Sequence, residues 1–152
     1  MSYDLGFSAA FDTIAGRAAP TAGWNRRTVA EAVAATLTAA TEGTVAVFAD
    51  PPATFNVPAL IVGWPTTVTY HAPLMGVDEA TLPLICAVAE NQSARMDDLL
   101  NVARWALVND PTLGGVLAFG VVVVATQRNW RVLADAAGAR FLAAELTLEI
   151  RQ

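Results

Sequence analysis

The chain contains one histidine, His71, and one cysteine, Cys86. A tetrahedral zinc centre draws three or four ligands from Cys, His and carboxylates, and neither residue has a second copy to share a metal. A nucleophilic triad would have to form around His71. Its nearest serine in sequence is Ser93, which sits where a helix cap is expected, and no Gly-x-Ser-x-Gly turn occurs. Cys86 lies in an apolar strand pattern, where a buried, inert thiol is expected, and a lone cysteine forbids an internal disulfide.

Phosphate chemistry fails on composition. Gly114-Gly115 lacks the flanking glycines and the lysine of a phosphate-binding loop, and all nine basic residues are arginine. The acidic pairs Asp78-Glu79 and Asp97-Asp98 are adjacent in sequence, so on a helix or strand their side chains diverge instead of sharing a proton or a metal. They read as solvated faces. No catalytic, cofactor-binding or metal-ligating residue is expected, and the chain reads as a non-enzyme.

The formal net charge is −5, and apart from Arg26-Arg27 the arginines are scattered singly. No basic stripe exists to neutralise a nucleic-acid backbone. With 152 residues, 55% hydrophobic and 15% charged, the chain is expected to fold as one domain with a real core. The longest apolar stretch, Gly114 to Ala125, falls short of the ~20 residues of a membrane span. Asp4 and Asp12 interrupt the start, so no secretory signal is read and synthesis is expected to end in a cytoplasm.

The elements that would position any site follow from periodicity. Phe7, Phe11, Ile14 and Ala18 fall at helical spacing, followed by Ala-Ala-Pro-Thr-Ala-Gly, so residues 1–23 read as an amphipathic arm and linker in front of a domain over 24–152. The arm either packs on its own domain or docks on a neighbouring subunit. Thr28 with Glu31 suggests a capping box opening a helix whose face is Val29, Val33, Thr36, Leu37 and Ala40, ending before Gly43, with Ala34 and Ala35 on its other side. Strands are expected at Thr44 to Phe48, Pro58 to Val62, Thr66 to Tyr70 and Thr81 to Ala89, as hairpins or meanders. The connection from His71 to Ala80, holding Pro73, Leu74 and Met75, is long for a hairpin and could project from the sheet.

A second helix is expected from near Ser93 to Val108, with a core stripe of Met96, Leu99, Leu100, Ala103 and Leu107. At about 100° per residue, Trp105 falls nearly opposite that stripe, beside Asp98, Asn101 and the flanking Val102. It needs a partner, either a loop or arm of its own chain or a second subunit. Two closing strands follow, Val116 to Gln127 and Ala139 to Arg151, an antiparallel pair joined by an irregular excursion over Asn129 to Gly138. The fold class is α/β of the α+β type: a single domain with a mostly antiparallel or mixed sheet flanked by helices. Trp24, Trp64, Trp105, Trp130 and Met75 add large hydrophobes that a core of this size does not need, which is the profile of an assembly subunit.

The order of elements carries a resemblance. Val57-Pro58-Ala59-Leu60-Ile61-Val62-Gly63, a strand ending in Tyr70, Thr81-Leu82-Pro83-Leu84, Asp97-Asp98-Leu99-Leu100, Asp110-Pro111-Thr112-Leu113-Gly114-Gly115 and the closing Phe141 to Ile150 resemble the tail-terminator proteins of siphophages infecting actinobacteria. It covers roughly residues 28 to 150, while Met1 to Gly23 is longer than the family pattern. The resemblance implies an α/β fold without catalytic residues and a homo-oligomer, a six-membered ring. That ring would cap the tail tube protein and meet the head-to-tail connector or stopper protein, and genomic DNA would pass through it unread. It places the protein in the virion tail or neck, assembled in the host cytoplasm, with no membrane or cofactor. The candidate interface is Trp105, Val102, His71, Pro73, Leu74, Met75, Phe7 and Phe11. The alternatives are another neck protein, such as a head-completion or stopper subunit, and a cytoplasmic α/β domain binding a small apolar ligand in a tryptophan-lined pocket.

Overall fold

The computed structural model describes residues 24–70, 78–117 and 121–151. Helix α1 (Arg26–Thr41) leads into strands β1 (Ala46–Phe48), β2 (Ala59–Val62), β3 (Thr67–Thr69) and β4 (Glu79–Val88). Helix α2 (Ser93–Asn109), β5 (Val121–Ala134) and β6 (Arg140–Arg151) complete the chain order. The six strands form one mixed sheet in the order β1-β2-β4-β6-β5, with β3 also paired to β4. Only β1 and β2 are parallel, so the expected α+β domain with a mixed sheet and flanking helices is what forms.

Alternation along the two long central strands divides the sheet into two faces. Leu82, Leu84, Cys86 and Val88 of β4 and Ala144, Leu146, Leu148 and Ile150 of β6 join Val29, Val33 and Leu37 of α1 and the Met96-to-Leu107 stripe of α2 in the main core. On the other face Ala59, Ala87, Phe141 and Ala143 form a smaller cluster with Phe48, Phe55, Ile85 and Leu133. The connection 49–58 supplies its lid: the Phe55 ring meets Phe141 edge-on, with centroids 4.9 Å apart. All four residues of β2 are buried, because the helices cover one of its faces and this connection the other.

Several local expectations are corrected. The α1 cap is Asn25, whose side-chain oxygen accepts from the Thr28 amide at 3.1 Å, so Thr28 is already inside the helix. The small residues buried on α1 are Ala30 and Ala32, whereas Ala35 is exposed. Ser93 is the first residue of α2 and not its cap, and the preceding Gln92 makes no side-chain capping bond. Glu79 and Ala80 belong to β4, which shortens the projecting connection from its far end.

The first strands do not form a meander. β2 and β3 lie end to end along one edge of β4, with partner sums that shift between Val62↔Leu84 and Thr67↔Thr81. The break lies opposite Pro83. Its carbonyl accepts from the Gly63 amide at 2.8 Å, and since a strand residue directs N and C=O to the same neighbour, the missing Pro83 N–H falls on this side. The ladder to β6, where Pro83 faces Thr147, is undisturbed.

The irregular excursion expected after β5 is ladder instead. β5 continues to Ala134 through two register shifts, the second holding Asn129 at φ 61°. Asp135 Oδ1 then accepts from the amides of Ala137 and Ala139, closing a short turn. At its start β5 is shorter than expected, because Leu113, Gly114 and Gly115 adopt positive φ and turn the chain after α2. Pro111 O accepts from the Val122 amide at 2.8 Å. That bond, the two bulges and the Arg128 and Arg131 charges protect a sheet edge that would otherwise offer a long template for pairing.

Candidate assembly interface

Trp105 is held away from the core by the geometry that buries its neighbours. Met96, Leu99, Leu100, Ala103 and Leu107 are all buried, so the residues half a turn away face outward. Val102 is 40%, Trp105 56% and Val108 55% exposed. The three repeat every third residue and form a diagonal apolar stripe across the outer side of α2. Val108 was not singled out in the sequence, although the same three-residue spacing marks it. Asp98, Asn101 and Arg104 border the stripe and are exposed.

Two open grooves flank this ridge. One, of about 340 Å³, lies between α2 and the end of α1 and is lined by Thr41, Val45, Pro58, Arg95, Leu99 and Val102 among others. The second, of about 180 Å³, runs between Asn101 and Arg104 of α2 and Val124 to Gln127 of β5. A rigid helix with a central Trp and a shallow channel on each side can receive another helix or loop. The first groove is also bordered by Glu42, Thr44 and Asp98, so polar groups rim its apolar floor.

The other tryptophans line none of the four clefts described among these residues. Trp24 is half-buried against the main core, and its amide donates to Asp78 Oδ2 at 2.8 Å. Trp64, though exposed, stacks on Arg26, whose guanidinium carbon lies 4.3 Å from the ring centroid. Trp130 lies on the outer strand β5 and is largely exposed. Besides the two grooves on α2, clefts of about 320 Å³ and 210 Å³ are lined by other residues.

Arg26 sits at the start of α1 beside the carboxyl ends of the parallel strands β1 and β2. Its guanidinium donates to Asp50 Oδ1 at 2.6 Å and to the carbonyls of Ala49, Val62 and Gly63 at 3.0, 3.4 and 3.3 Å. The side chain thus knots α1 to the ends of β1 and β2.

Cys86 is fully buried on β4, and desolvation pushes its thiol up to about 12. It is protonated and unreactive at neutral pH. Asp78 accepts from the Trp24 amide, and Glu79 pairs with Arg151 at 3.3 Å. Among the described residues no group of three or more His, Cys, Asp or Glu could hold a metal ion, and no helix is long and apolar enough to cross a membrane. His71, Pro73, Leu74, Met75, Phe7 and Phe11 lie outside the described residues. No protein-family model matches the chain, and no curated protein matches it.

Proposed function

We propose that this chain is a structural virion protein that caps a phage tail tube as a homomeric six-membered ring, ends tube growth and joins the tail to the head connector. The observation that carries the reading is the outward apolar stripe Val102, Trp105 and Val108 on a rigid helix. Exposed tryptophan flanked by valine is the composition of an interface anchor. The resemblance of the sequence over roughly residues 28 to 150 to tail-terminator proteins supports the specific role. Stacked tube rings present the same open end at every layer and have no intrinsic reason to stop. A terminator supplies one when its lower face matches the tube end and its upper face refuses another tube ring.

A head-to-tail contact whose rotation closes gives a ring instead of a filament. A net charge of −5 suits a passage for DNA, because an acidic subunit does not hold the phosphates in transit. The connection that begins at His71 is the segment assigned to the tube contact, with the connector or stopper protein on the opposite face. Deleting the gene from the producing phage is expected to give overlong, headless tails beside filled, tailless heads. Tails of normal length that fail to join heads would move the protein to the neck as a completion or stopper subunit. Normal tails on normal heads would remove it from both roles.

A further inference from the structure

We draw no further inference here: the strongest candidate, the apolar cleft of about 320 Å³ between the 49–58 connection and the end of β5, lined by Phe55, Ile61, Ile85, Leu133 and Phe141 among others, carries nothing because nothing among the described residues shows what covers it.

Discussion

Burial decides what Cys86 does to stability. Below about pH 9 the thiol is protonated in both the folded and the unfolded chain, and its burial contributes in full. As pH rises from the ordinary 9.0 toward about 12 the unfolded thiol ionises while the buried one stays neutral. Stability then falls by up to about 1.4 kcal/mol per pH unit in that window. Denaturant unfolding at about pH 8 and about pH 10.5 is expected to show this loss, with a smaller loss in Cys86→Ala; equal slopes would place the thiol in contact with water. Arg26 makes the second residue-scale prediction. Arg26→Met leaves the Ala49 and Gly63 carbonyls without their donor and is expected to lower stability by about 1–3 kcal/mol in the same assay. Its role was not legible in the sequence, where Arg26-Arg27 stands out only as the adjacent pair among scattered arginines. The partners of Arg26 lie 23 to 37 residues away, beyond any local pattern. Trp105, by contrast, was placed correctly by angle alone. Trp105→Ala is expected to weaken subunit association by about 2 kcal/mol or more while the melting temperature of the monomer stays nearly unchanged. A monomer that unfolds instead would make Trp105 a core residue.

The caps and the β2–β3 break set the predictions for elements. Asn25→Ala removes the only side-chain cap on α1 and is expected to cost about 1 kcal/mol, whereas Ser93→Ala is expected to change stability by less than about 0.5 kcal/mol because Ser93 sits inside α2. Thermal unfolding of the two variants checks the order, and the reverse order would restore Ser93 as the cap of α2. Gly63→Ala would place a Cβ 2.7 Å from Pro83 Cγ and is expected to cost about 1–3 kcal/mol through overpacking. The α2 stripe and the alternation of β6 were readable because burial on one side writes a local period into the sequence. The parallel pairing of β1 with β2 was not, because which strands become neighbours depends on contacts distant in sequence. The continuation of β5 was hidden for a different reason. Gln127 to Arg131 are exposed on an edge, so no apolar alternation marks them as strand.

At the scale of the whole molecule, the described residues pack two helices on one face of the sheet, leave Val102, Trp105 and Val108 exposed on α2 and tie α1 to the ends of β1 and β2 through Arg26. The sequence carried a surplus of tryptophans, yet only the fold separates Trp24, packed on the core, and Trp64, stacked on Arg26, from Trp105, which stands exposed on α2. Negative-stain imaging of the purified protein, with its solution mass measured on the same sample, tests the ring most directly. Annular particles with six-fold symmetry, an open centre and six times the monomer mass are expected. A monodisperse monomer at every concentration would contradict the assignment.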